Sequence, residues 1–282
     1  MPTKDNSRDE LTMESFRKAL TNSKRTLVLC GAGLSAASGL PTFRGAGGLW
    51  RNHVATELVT PDAFEADPSL VWQFYHARRH AALRAKPNAA HIALAEYTKA
   101  HPDKTFTISQ NVDGLSTRAG HLRDKLNLIH GNLFDLRCSG LGCGYVDKDN
   151  FDEVLTEGLK GAEDVNAVYK DIRIRDLPMC PKCKTNLLRP GVVWFGEGLP
   201  MDVIDKVDKA FLGPPRVDLM LVVGTSGVVW PAAGFAERVR RLGGKVAIFN
   251  MEVDQAEPGD WVFEGPCEET IPEALQLTGP PD

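Results

Sequence analysis

No apolar run in the 282 residues approaches the length of a bilayer-spanning helix, so a helical membrane anchor is not expected. Positive charge is not in surplus either. Lys and Arg number 33 against 37 Asp and Glu, a formal net charge of -4, which argues against a general nucleic-acid binder. The first residues, Met1 to Glu14, mix acids and bases around no apolar core. That is neither a secretory leader nor an Arg-rich, acid-poor transit peptide, and the expected location is cytoplasmic or mitochondrial with no transit peptide evident. Internal repeats and low-complexity tracts are missing as well. Cysteine is scarce, six in all, and without a leader the thiols are expected to be reduced or metal-bound rather than paired. What remains is 43% hydrophobic and 25% charged, enough for a full core in one large domain or two smaller ones. A soluble monomer with no nucleic-acid or membrane partner is the expectation.

The most informative stretch runs from Arg25 to Gly45. Thr26-Leu27-Val28-Leu29-Cys30 reads as a buried parallel strand. Gly31-Ala32-Gly33 follows as a tight turn, and Ser35-Ala36-Ala37-Ser38 can open a helix. Strand, Gly-x-Gly turn and helix start together suit a pyrophosphate, whose charge backbone N–H groups and a helix N-terminus can hold. An ordinary structural turn has the same local pattern. Gly39 and Pro41 stop the helix early, so the chain leaves as a loop carrying Thr42, Phe43 and Arg44.

Four further strands read from Thr105 to Ser109, Leu126 to Ile129, Asp218 to Val223 and Lys245 to Phe249. Each ends in polar residues: Gln110, Asn111 and Asp113; His130 and Gly131; Gly224, Thr225 and Ser226; Asn250, Met251 and Glu252. In an open α/β sheet that edge binds ligands. A Rossmann-like doubly wound parallel sheet is therefore expected. Two modules are inserted in it: a helical one at residues 46–87 and a cysteine-bounded one at residues 131–189. Residues 19–45, 88–130 and 190–282 form the sheet domain, after a tail and helix at 1–18.

Cys138-x4-Cys143 and Cys180-x2-Cys183 are two close pairs with 36 residues between them. Four thiolates on two glycine- or proline-bearing turns suit a tetrahedral structural zinc ion, two disulfides or unrelated thiols being the alternative. Cys30 reads as a small core residue, and Cys267, placed in a late loop, either meets a cofactor or packs. His130 follows a strand directly and suits either a general base or a buried structural histidine. The other six histidines offer no special context. Asn111 and Asp113 read as turn residues or as ligands of a ribose or amide.

These motifs in this order, Gly31-Ala32-Gly33-x-Ser35-x-x-Ser38-Gly39-Leu40-Pro41-x-Phe43-Arg44, Gln110-Asn111-Val112-Asp113, His130-Gly131, the cysteine pairs, Gly224-Thr225-Ser226 and Asn250, resemble the sirtuin family of NAD-dependent protein deacylases. The resemblance covers about residues 20 to 275. It implies acyl transfer from a lysine side chain to NAD through an alkylimidate, with His130 deprotonating the ribose, and the products nicotinamide and 2′-O-acyl-ADP-ribose. It implies that Asn111 and Asp113 position the nicotinamide ribose and carboxamide. Phe43 and Arg44 would cover the cofactor, and Thr225, Ser226, Asn250, Met251, Glu252 and Cys267 would line its adenosine side. Val193-Trp194-Phe195-Gly196-Glu197 resembles the family's substrate segment, where a peptide adds by backbone pairing. Trp230 would stand in the peptide groove, a departure from the tyrosine of the nearest members of the family.

Tyr75 and Arg78 stand three apart on one helix face, so a phenol lies beside a guanidinium fork, a pair suited to a carboxylate. Within the family this Tyr-x-x-Arg, with small Ala55, resembles the class that removes succinyl, malonyl and glutaryl groups. A deacetylase or mono-ADP-ribosyltransferase is the same-chemistry alternative. A dehydrogenase would need an acidic residue about 20 positions beyond the turn; Glu57 has that spacing but falls in the helical insertion.

Overall fold

The computed structural model describes residues 11–42, 48–164, 166, 169–253 and 256–276. Its strands are β1 (Thr26–Cys30), β2 (Leu49–Trp50), β3 (His53–Val54), β4 (Thr105–Ser109), β5 (Leu126–Leu128), β6 (Gly131–Cys138), β7 (Val146–Asp147), β8 (Leu188–Val192), β9 (Leu219–Val223), β10 (Lys245–Asn250) and β11 (Trp261–Glu264). The α-helices are α1 (Met13–Asn22), α2 (Ala55–Leu58), α3 (Pro61–Ala66), α4 (Pro68–Arg84), α5 (Ala89–Ala100), α6 (Leu115–Arg118), α7 (Met201–Leu212), α8 (Phe235–Arg241) and α9 (Cys267–Leu275).

Six strands form one parallel sheet in the order β11-β10-β9-β1-β4-β5. The chain winds one way from β1 through β4 to β5. It then returns to the other side of β1 for β9, β10 and β11. The direction reverses between β1 and β9, and in such a sheet the crevice at the carboxyl ends of those strands takes the ligand. β1 and β9 are buried along their whole length, as expected of central strands covered on both faces. One face packs on α1, α5 and α9 through Phe16, Leu94, Tyr97 and Ile271. The other packs α7 and α8 through Phe211, Phe235 and Val239.

The five strands expected from sequence are all present, and the structure adds β11 as a sixth. The segment expected to open a helix at Ser35 is a 3-10 turn over Ala32–Ser38, ended by Gly39 at φ 83°. The 46–87 segment is not wholly helical, since β2 and β3 pair as a small hairpin before α2. Pro61 and Pro68 each stand at the first position of a helix, with Thr60 and Asp67 capping α3 and α4. Cys267, expected in a loop, is the first residue of α9.

A second, antiparallel sheet has the order β7-β6-β8. It shares one apolar cluster with α2, α3 and α4, including Trp72, Phe74, Tyr75, Phe134, Leu188 and Trp194. Trp72 Nε1–H donates to the Leu188 carbonyl at 3.0 Å, and Arg79 donates to the Leu133 carbonyl at 2.6 Å. The long helix α4 is thus fastened to the cysteine-bearing sheet by hydrogen bonds as well as by packing.

Candidate active site

A cleft of about 1210 Å³ lies along the carboxyl edge of the large sheet and beneath α4. Every cofactor or substrate residue expected from sequence lines it, except Phe43 and Arg44, which lie outside the described residues. At its floor the β1 and β9 turns touch. Gly31 N–H donates to Val223 O at 2.9 Å and Gly33 N–H to Gly224 O at 2.8 Å. A Cβ on Gly31 would meet Thr225 Cβ at 2.5 Å, and one on Gly224, at φ 60°, would meet Leu34 N at 2.2 Å. The glycines' N–H groups therefore serve backbone-to-backbone contact, which corrects the expectation that they face a phosphate. The same close approach makes a cradle that admits no side chain on these glycines, and a dinucleotide fits over it.

Ser35 and the β4 loop form one buried network. Ser35 Oγ donates to Asp113 Oδ2 at 2.7 Å and accepts from Asn111 Nδ2 at 3.2 Å. Asn111 Nδ2 also reaches the Gly31 carbonyl at 2.9 Å. Behind Ser35 stands His91, 1% exposed, its Nε2 3.3 Å from Ser35 Oγ. The other ring nitrogen, Nδ1, faces the helix cap, 3.3 Å from the Asn88 backbone N–H and 3.0 Å from Asn88 Oδ1. His91 was among the histidines without context. Its Asn88-x-x-His91 capping spacing is the signal that placed it.

Burial pushes His91 down to about 4, against the opposing pull of Asp113, and burial lowers His76, His121 and His130 as well. Each ring is held neutral in the fold and takes up a proton more readily in the unfolded chain. Stability from these groups is present above the ordinary imidazole value of 6.5 and is lost as pH falls toward about 4. Unfolding midpoints measured from pH 7 to pH 4 should drop through that window, and His91→Gln should flatten part of the drop. A midpoint independent of pH there would exclude these rings as its cause.

His130 stands between β5 and β6. Its Nδ1 lies 3.0 Å from the Gln110 carbonyl oxygen, which can only accept, so Nδ1 carries the proton and Nε2 is the basic nitrogen. Gln110 Nε2 in turn donates to Thr225 Oγ1 at 3.0 Å, tying the β4 and β9 ends together. Asn250 Nδ2 reaches the Thr225 carbonyl at 3.3 Å and the Glu252 carbonyl at 2.9 Å. Cys267 is buried, its Sγ–H directed at the Phe249 carbonyl at 3.7 Å.

At the other end of the cleft, Tyr75 is buried and its hydroxyl accepts Trp194 Nε1–H at 2.8 Å. Burial raises the Tyr75 phenol, so it stays protonated and keeps its own O–H to donate. Arg78, half-buried, lies over the Phe74 ring at 5.5 Å, within the fields of Tyr75 and Asp113. Ala55 lines the same end, 1% exposed. Trp230 projects at the mouth, 76% exposed.

The 193–197 segment is braced from within. Val193, Trp194, Phe195 and Glu197 N–H groups donate to His130 O, Glu197 Oε2, Val59 O and Trp194 O at 2.8 to 3.0 Å. A peptide strand paired here would have to use Gly196 N–H and the segment's carbonyls. The Glu197 carboxylate is held by Arg189 at 2.6 and 2.8 Å and by Arg137 at 3.2 Å, and the Arg189 guanidinium stacks 3.3 Å from the Trp194 ring centroid. Glu197 thereby supports the segment rather than facing a ligand.

The four cysteines come together away from this cleft. Their Sγ atoms lie within 4.8 Å of one another, with Cys138–Cys183 and Cys143–Cys180 both at 3.7 Å, and none is disulfide-bonded. Sulfurs at about 2.3 Å from a tetrahedral zinc stand about 3.8 Å apart, so the set fits that ion with no ligand position left open.

A doubly wound sheet with a cleft at its switch point, joined to a four-cysteine module that can hold zinc, defines an α/β protein built to take a nucleotide at its sheet edge. The Sir2 family matches residues 31–231. An NAD-dependent protein deacylase of Candida albicans is 46% identical over 94% of this chain and 97% of its own. The dog "NAD-dependent protein deacylase sirtuin-5, mitochondrial" is 45% identical over 95% of this chain and 86% of its own. The crystal structure of a Sir2 homologue–NAD complex superposes with a TM-score of 0.77 at 36% identity, covering 93% of this chain and 92% of the other. The chain belongs to the Sir2 family, and NAD is its co-substrate.

Proposed function

We propose that the enzyme removes acidic acyl groups (succinyl, malonyl and glutaryl) from lysines of protein or peptide substrates, giving nicotinamide and 2′-O-acyl-ADP-ribose. The observation that carries the acyl choice is the pair at the end of the cleft, buried Tyr75 and half-buried Arg78. Trp194 fixes the Tyr75 oxygen from one side, so the phenol's own O–H and the Arg78 guanidinium are both donors on one face of α4. A carboxylate uses both. An apolar acyl end offers an acceptor to neither donor.

When bound, NAD supplies the activated ribose that accepts the acyl group. The chain's own part is to orient and to move a proton. Asn111 and Asp113, fixed by Ser35, hold the nicotinamide ribose end, and His130 Nε2 takes the ribose hydroxyl proton. Gly31, Ala32, Gly33, Pro41 and Thr42 lie on the phosphate side. Thr225, Ser226, Asn250, Met251, Glu252 and Cys267 take the adenosine side, and Val193 to Gly196 with Trp230 take the peptide on a segment that Glu197 braces. The zinc-holding sheet and α2–α4 act as one small domain that presents α4. We place the enzyme as a monomer in the mitochondrion or cytoplasm, the first being the compartment in the dog relative's name.

Matched succinyl- and acetyl-lysine peptides with NAD test the reading. Succinyl turnover should dominate, with 2′-O-succinyl-ADP-ribose identified by mass. Arg78→Met should lower kcat/KM for the succinyl peptide by about 10- to 100-fold and leave the acetyl peptide within about threefold. A wild-type preference for acetyl would overturn the acyl assignment, leaving the deacetylase.

A further inference from the structure

Arg118 has no place in the chemistry above, yet it joins the two ends of the cleft. α4 carries Tyr75 and Arg78, and its last turn, with Ala81 and Ala82, lines the cleft. Its final carbonyls have no partner inside the helix, and Pro87 prevents the next residues from continuing it. Arg118 closes that end from another element. Its Nη1 donates to Ala82 O at 2.7 Å, and its Nη2 donates to Ala85 O at 2.8 Å and Leu83 O at 3.4 Å. A guanidinium fork on helix C-terminal carbonyls also meets the negative end of the helix dipole.

Arg118 is itself the end of the cofactor loop. Asp113 Oδ1 accepts the first N–H of α6, from Leu115, at 2.8 Å, and Arg118 N–H closes that turn on Gly114 O at 3.0 Å. The other oxygen of Asp113 accepts Ser35 Oγ–H, and Gln110 of the same loop orients His130. From Asp113 to Arg118 the chain is one hydrogen-bonded turn, with the cofactor residue Asp113 at one end and the clamp on α4 at the other. Arg78 lies one helical turn, about 6 Å along the axis, before Ala82. A small displacement of the clamp is therefore passed directly to the acyl-binding pair.

We infer that Arg118 is a positioning residue that couples the cofactor loop to α4, so that occupancy of the nucleotide site sets the place of Tyr75 and Arg78. The inference rests on the acyl-recognition role of α4 proposed above. Coupling between two sites is reciprocal and can be measured as a ratio of affinities.

The test is calorimetric titration with ADP-ribose and with whichever acyl-lysine peptide the wild-type enzyme binds best, each alone and each with the other present. In wild type, ADP-ribose should tighten peptide binding about fivefold or more. In Arg118→Met that factor should fall to within twofold, while each ligand alone binds within about threefold of its wild-type affinity. The succinyl KM measured with saturating NAD should rise with kcat within twofold, and Arg118→Lys, which keeps the charge but not the fork, should fall between. Equal coupling in variant and wild type, or no coupling in wild type, would overturn the inference. A parallel loss of affinity for both ligands would assign Arg118 a merely structural role and overturn it too. If Arg118→Met does not fold, Arg118→Lys supplies the same comparison. An acetyl preference in wild type would defeat the acyl assignment and leave the coupling ratio to be read with the acetyl peptide.

Discussion

An enzyme with His130 replaced by alanine should retain ADP-ribose binding within a few fold and lose about 10²- to 10⁴-fold in kcat/KM for its acyl peptide. Binding and chemistry separate because His130 Nδ1 is engaged by the Gln110 carbonyl, leaving Nε2 to face the cleft as the only function lost. The pH profile should agree. Burial lowers His130 and its hydrogen bond to Gln110 offsets this only in part, so the base form persists into more acid solution than free imidazole allows. The acid limb of kcat/KM in wild type should have its midpoint below 6.5 and should be missing from the residual activity of the variant. Residual turnover near the wild-type rate would remove His130 from the proton transfer.

Loss of zinc should be as damaging to the fold. Cys183→Ser should reduce the metal content from one zinc per chain to none and lower the unfolding midpoint by roughly 10 °C or more, because metal binding to such sites is folding free energy of several kcal/mol. Cys138, Cys143, Cys180 and Cys183 lie in or against the apolar cluster that also holds Trp72, Phe74, Tyr75 and Trp194. The clusters on either face of the large sheet contain none of these residues. Acyl-peptide affinity should therefore fall further than ADP-ribose affinity. Full metal content and an unchanged midpoint in the serine variant would mean that the cysteines hold no structural ion.

Which parts could be read in advance follows from the kind of signal each leaves. β1 and β9 are central strands, and burial on both faces makes a continuous apolar run. β11 is an edge strand of four residues whose burial alternates, so Trp261–Glu264 offers too short a pattern to stand out. Cys267 reads as a loop residue because Gly265 and Pro266 stand directly before it. Pro266 is the N-cap of α9, where a missing N–H does no harm, and Pro272 is accommodated inside the helix. The strand-end residues were legible because sheet topology alone aims them at one edge. The contacts that make them a site were not. The Ser35–Asp113–His91 network joins residues up to 78 apart, Trp194–Tyr75 spans 119, and no local pattern encodes such partners. Glu197 shows the converse: a substrate-segment residue by motif, it proves to be the counter-ion of Arg189 and Arg137.

The contact between the β1 and β9 turns also bears on how the protein is made. Gly31 and Gly33 stand near the beginning of the chain, while Val223 and Gly224, which their N–H groups meet, lie about 190 residues later. A ribosome emits the N-terminal glycine turn many seconds before its partner exists. Until β9 arrives, the turn has nothing to close against, and the nucleotide has no floor to rest on. NAD therefore cannot act as an early scaffold for this chain. It can only stabilise a sheet whose longest-range pairing is already complete, so binding competence should emerge as one of the last events of biosynthesis rather than the first.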